Sequence, residues 1–153
     1  MMKRTKTRLF LSGALIVGIL CFIWGNSLLP GKDSEQLSGF IGTLLQKLLP
    51  FWDLQSEKGM YLLRKVAHFS EFAALGFSFT WLYGMISKKR VWSLTLPLIC
   101  GATAAAIDET IQLFSPDRGS SIKDVGIDTC GVIAGIAVMT LLHILAKRIR
   151  KKS

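Results

Sequence analysis

Four apolar runs constrain this chain most. They lie at about residues 9–29, 66–86, 91–114 and 125–146. Each is long enough to cross a bilayer as a helix, which takes ~20 residues. The chain has 153 residues, half of them hydrophobic, and its 19% of charged residues sit in blocks between the runs. One domain over residues 1–153 accommodates that pattern. The expected fold is all-α: a polytopic membrane protein, a four-transmembrane-helix bundle plus one interfacial amphipathic helix. The first run has the basic start of a signal peptide and small residues at Gly25-Asn26-Ser27. It is too long for one, and lipoprotein-type cleavage before Cys21 would need a small residue at Leu20.

The amphipathic helix is expected at about residues 34–49, in SEQLSGFIGTLLQKLL. Leu37, Phe40, Ile41, Leu44, Leu45, Leu48 and Leu49 recur at helical spacing. Asp33 is placed to cap it, with Gln36 three residues on, and Pro50 to stop it. It is too short to span, so it is expected to lie flat at the interface.

The net charge of +9 raises nucleic acid as a partner. The basic residues instead form three groups beside apolar runs: Lys3, Arg4, Lys6 and Arg8; Lys88, Lys89 and Arg90; and Lys147 to Lys152. No nucleic-acid motif accompanies them, and the positive-inside rule explains them. Those groups contain no acid, whereas residues 30–65 and 115–124 mix acids with bases. Both termini are therefore expected in the cytoplasm. Cys21, Cys100 and Cys130 lie inside apolar runs without CxxC spacing. They indicate neither a disulfide framework nor a zinc site.

Polar residues interrupt the runs at particular ends. His68 and Glu71 open the second, Asp108, Glu109 and Gln112 close the third, and Asp124 and Asp128 open the fourth. Successive spans run antiparallel, so these ends fall on one side, the outer side by the charge rule. Helical spacing puts Asp124, Asp128, Gly131 and Gly135 on one face, Gly101, Ala105, Asp108 and Gln112 on another, and Arg64, His68, Glu71 and Leu75 on a third. An ionised side chain facing lipid costs at least ~2.5–3.5 kcal/mol, so these faces should point inward. Gly131 and Gly135 form a GxxxG pair that lets a neighbouring backbone approach closely. The acids are read either as ion-pair glue with Arg64, Lys65, Arg118 or Lys123, or as a functional site. Glu71 is expected to pair with Arg118, Arg64 or Lys65. Catalytic candidates are His68, Glu71, Asp108, Glu109 and Asp128. Binding candidates are Lys65, His68, Glu71, Glu109, Gln112, Arg118, Asp124 and Asp128. His68 with Glu71 at i+3 and several carboxylates opposite could serve proton transfer or hold a divalent cation, but HxxE alone is too loose a pattern to assign a metal, so no metal and no cofactor is expected. His143 lies near the other end of the fourth run and is read as interfacial.

Two segments resemble the signatures of the VanZ-like family of membrane proteins. KVAHFSEFAALG carries Lys65, His68, Glu71 and Gly76, and DETIQLFSPDRGSSIKDVGIDTCGVIAG carries Glu109, Gln112, Phe114, Arg118, Asp124, Asp128, Gly131 and Gly135. Ser27, Pro30, Ser34 and Ser38 are similar to a third pattern after the first span. Phe72 stands where many members have Tyr, and Asp128 where many have Asn. The resemblance implies a bacterial inner-membrane protein. The family's namesake is linked to teicoplanin resistance. Three functions follow as expectations. The first is an outer-leaflet polar site for a lipid-linked cell-wall precursor or an amphiphilic glycopeptide, held by Lys65 and Arg118. The second is a membrane enzyme acting on a lipid-linked envelope substrate through His68 and Glu71. The third is a structural bundle or small transporter. Whether the chain catalyses a reaction stays open. Beyond the lipid bilayer and such an amphiphile no partner is implied.

Overall fold

The computed structural model describes residues 2–49, 51, 53–87, 89 and 91–151, with side chains from residue 6 onward. The Pro50 stop, Lys88, Arg90, Lys152 and the side chains of Lys3 and Arg4 lie outside the described residues. Five helices follow one another: α1 (Met2–Leu28), α2 (Gly31–Leu48), α3 (Glu57–Ile86), α4 (Trp92–Leu113) and α5 (Ile122–Arg150). No strand occurs among the described residues.

Among the described residues, three helical segments are long and apolar enough to cross a membrane: Lys6–Leu28, Trp92–Leu113 and Ile122–Arg150. α3 falls short on composition, because its length includes Arg64, Lys65, His68 and Glu71 as well as several hydroxyl residues. Its surroundings account for this: α3 packs against all four other helices and most extensively against α5. A small core of Ile16, Ile23, Phe72, Leu75, Ala104, Ala105 and Val132 joins α1, α3, α4 and α5. Large apolar side chains point outward, among them Phe10, Phe22, Ile99, Ile133, Val138 and Leu141. A water-soluble chain rarely exposes so much contiguous apolar surface; a lipid-facing one does.

The α3–α5 seam depends on missing side chains. A Cβ on Gly131 would strike the Phe69 carbonyl, and one on Gly135 the Ala73 carbonyl. From the other side, a Cβ on Gly76 would strike the Val132 backbone. The GxxxG pair thus serves the close approach its spacing implies.

Two helix starts differ from the sequence reading. α3 begins at Glu57 rather than Val66, because Ser56 caps it, its hydroxyl accepting from the Gly59 N–H at 3.1 Å. Arg64 and Lys65 therefore lie about two turns inside a continuous helix, on which Arg64 shares a face with His68 as its spacing predicts. α2 begins at Gly31, with Pro30 at the cap position and no side-chain cap, so Asp33 is a first-turn residue and not the cap. A contact distant in sequence sets this start. The Gly31 N–H donates to the Pro116 carbonyl at 2.9 Å, and a Cβ on Gly31 would strike the Asp117 carbonyl. At α5, Ser121 accepts from the Lys123 N–H at 3.2 Å. Asp124 in the first turn and Lys147, Arg148 and Arg150 in the last suit the helix dipole.

Candidate functional site

α3 and α5 descend from the same end of the bundle at which α4 finishes. His68, Asp108 and Asp128 meet there. His68 Nδ1 lies 3.9 Å from Asp108 Oδ2 and 3.8 Å from Asp128 Oδ1. The antiparallel order of the runs requires this convergence, and the inward faces are as the spacing predicts: Asp108, Gln112, Asp128, Gly131 and Gly135 are all buried.

The two central carboxylates have opposite surroundings. Asp108 is 0% exposed and well supplied with donors. Its Oδ1 accepts the Ser27 hydroxyl at 2.6 Å, and its Oδ2 accepts the Gln112 side-chain amide at 2.8 Å. Ser27 is itself fixed, since its carbonyl accepts the Ser115 hydroxyl at 2.7 Å. Asp128 is 1% exposed, and neither of its oxygens has a hydrogen-bond partner. A buried carboxylate left in that state is costly, and buried polar groups are otherwise nearly always satisfied.

The surrounding charges divide between fastening and lining. Glu109 Oε2 accepts the Ser120 hydroxyl at 2.8 Å and the Ser121 N–H at 2.9 Å, so it ties the α4–α5 connection to α4. Lys65 Nζ is 2.6 Å from Asp124 Oδ1, with both side chains about four-fifths buried, and it sits 5.1 Å from the centre of the Tyr61 ring. Arg118 donates from Nη2 to the Ser34 hydroxyl of α2 at 2.7 Å. Its Nε and Nη1 are buried without an acceptor. Burial, and next the neighbouring Arg64, lower the pKa of this guanidinium from its ordinary value.

Of the three cations expected beside Glu71, Arg118 acts on it at longer range, while Arg64 and Lys65 turn elsewhere. No cation lies within 4 Å of it among the described residues; its carboxylate faces the Asn26 side chain of α1. Arg64 instead turns to Glu35 of α2 at 3.8 Å, and Lys65 to Asp124 of α5. The early start of α3 explains the change. Both cations lie more than a turn above Glu71, level with α2 and the top of α5.

A cavity of ≈300 Å³ lies among these residues, lined by Lys65, His68, Glu109, Gln112, Asp124 and Asp128, with Tyr61 and Arg64 also on its wall. Of the predicted site residues, Glu71, Asp108 and Arg118 are not part of that lining. Asn26, Ser27, Ser34 and Ser115 were absent from the sequence-based site. The available signals were the polar pair Asn26 and Ser27 ending an otherwise apolar run, and the family-like pattern that already included Ser27 and Ser34. His143 lies apart from the cluster, in a second cavity of ≈460 Å³ beside Lys147, Arg148 and Lys151.

An all-helical membrane protein with a buried polar site at one end is the class these features define. The chain belongs to the VanZ/LLP1 family, which it matches over residues 13–143. That stretch includes every site residue from Asn26 to Asp128. Among curated proteins and among solved structures, none matches the chain.

Proposed function

We propose that the chain is a VanZ-like integral protein of the bacterial cytoplasmic membrane, one domain over residues 1–153. In this reading α1, α3, α4 and α5 span the bilayer and both termini are cytoplasmic. α2 lies flat at the outer surface, its exposed Leu37, Phe40, Ile41, Leu44 and Leu48 entering the lipid boundary. The polar cavity then opens at the outer leaflet. It binds the anionic head group of an amphiphile, either a lipid-linked cell-wall precursor or a lipid-tailed glycopeptide, and thereby alters susceptibility to teicoplanin-type antibiotics.

The observation that carries the reading is a ≈300 Å³ space whose wall holds Arg64, Lys65 and Lys123 beside Glu109, Asp117, Asp124 and Asp128, a mixed-charge lining in which Lys123 makes no ion pair within 4 Å among the described residues. Charges serving only as glue would close on one another and leave no such room. Arg118, although not on the wall of that space, has two buried N–H donors without an acceptor, of the kind that a phosphate or carboxylate accepts in charge-assisted hydrogen bonds once it reaches them. The test compares Lys65→Ala and Arg118→Ala with the parent chain in nanodiscs. Binding of a polyprenyl phosphate and of teicoplanin is measured, together with drug susceptibility of cells making equal amounts of protein. The reading expects binding to fall at least ~10-fold, the equivalent of ~1.4 kcal/mol. Unchanged binding and unchanged susceptibility would end it.

A further inference from the structure

We propose that His68, Asp108 and Asp128 form a binding site for one divalent first-row transition cation, of which Zn²⁺ is the type. This goes beyond head-group binding and needs no lipid. One ligand atom from each residue lies within 4.8 Å of the others. Around a cation with bonds of ~2.0–2.1 Å, tetrahedral ligand atoms stand ~3.3 Å apart. The distances of 3.8 and 3.9 Å from His68 Nδ1 therefore need each side chain to move inward by only part of an ångström.

The second observation is independent of the spacing. Asp128 is 1% exposed, with both carboxylate oxygens lacking a donor, and its Oδ1 faces His68. An enclosed carboxylate without a hydrogen bond is stable only if it takes up a proton or gains a positive partner, and a cation between it and Asp108 supplies one to both. Asp108 has the support that metal-binding carboxylates usually have, with Ser27 and Gln112 donating to it from behind. The donor set also selects the cation. An imidazole nitrogen disfavours Ca²⁺ and Mg²⁺, which take oxygen ligands, and suits Zn²⁺; the two carboxylates also accept Mn²⁺. His68 and Asp128 both border the cavity, which provides an entry path and leaves a further coordination position open to it. HxxE spacing could not reveal this site, because each ligand comes from a different helix.

The experiment uses the full chain, purified in detergent, stripped with chelator and titrated with Zn²⁺ and with Mn²⁺. Bound metal is counted by mass spectrometry and affinity measured by calorimetry. One equivalent per chain is expected, with a rise in Tm on binding. His68→Gln and Asp128→Asn should lose the equivalent and the Tm response, and Gln112→Leu should weaken affinity ~10–100-fold. His143→Ala should retain both. Asp128→Asn removes an unpartnered charge, so its apo form should melt no lower than the parent's, which separates lost metal from lost fold. If the parent takes up no stoichiometric metal, or if uptake follows His143 rather than Asp128, the proposal is wrong. Stoichiometric metal in a parent chain that binds neither polyprenyl phosphate nor teicoplanin would leave the metal site standing and remove the lipid reading; head-group binding by a parent chain that takes up no metal would do the opposite.

Discussion

At one end of the bundle, His143, Lys147, Arg148 and Lys151 border a cavity with no acid on its wall. At the other, Lys65, His68, Glu109, Asp124 and Asp128 share a cavity with several fixed partners. The basic end carries its charge on exposed residues from Lys147 to Lys151, where water solvates each one. The polar end takes its charge out of water, where the fold answers Asp108 and Glu109 with hydrogen-bond donors and leaves Asp128 without one. Exposed charges contribute little to stability, whereas a buried charge that loses its partner costs several kcal/mol. The same type of substitution should therefore differ sharply in effect between the ends.

The largest contrast is expected at glycines. Gly135→Val drives a side chain into the Ala73 carbonyl, so α3 and α5 must separate and monodisperse protein should be lost in size-exclusion chromatography. Gly84→Ala meets only the His143 ring edge at 3.4 Å and should change Tm little, within ~0.5 kcal/mol. Equal behaviour of the two would break the comparison. Next is Asp108→Ala in metal-free protein. It leaves the Ser27 hydroxyl and the Gln112 amide without their acceptor, at about 1–3 kcal/mol for each orphaned donor, readable as a lower thermal or denaturant midpoint. Lys65→Ala should cost less, between the ~0–1 kcal/mol of an exposed pair and the ~3–5 kcal/mol of a fully buried one, because Asp124 keeps some solvent. Lys147→Ala at the basic end should stay within ~0.5 kcal/mol by the same measurement. The smallest effect at the polar end belongs to Arg64→Ala. Its 3.8 Å pair with Glu35 is largely exposed on the Glu35 side and should contribute under ~1 kcal/mol, decreasing further in high salt.

Much of this arrangement was legible in the sequence because it depends on period and order alone. The apolar runs at 9–29, 91–114 and 125–146 became α1, α4 and α5 within a few residues, apart from helical extensions at the two chain ends. Strict alternation of direction brought His68, Asp108 and Asp128 together, and the Gly131–Gly135 spacing marked the tight seam. What was not legible depends on contacts between distant segments. The start of α2 is set by Pro116 and Asp117, the latter in a left-handed turn at φ 57°. Nothing near Asp33 encodes that. The partner of Glu71 depends on how far α3 extends past its apolar run, which local hydropathy does not report. The contrast between Asp108 and Asp128 depends on Ser27, a residue from another helix.

The glycine seam has a consequence for the metal site itself. Gly131 rests on the Phe69 carbonyl, one residue from His68 and less than a turn from Asp128. Main chain there stops against main chain, like the jaws of a caliper closed on a gauge block. The gap between imidazole and carboxylate is thus set by backbone dimensions, which side-chain substitution elsewhere on the cavity wall does not alter. Lining residues such as Tyr61 or Lys123 are free to vary, and with them what the cavity admits, while the spacing beneath stays the same.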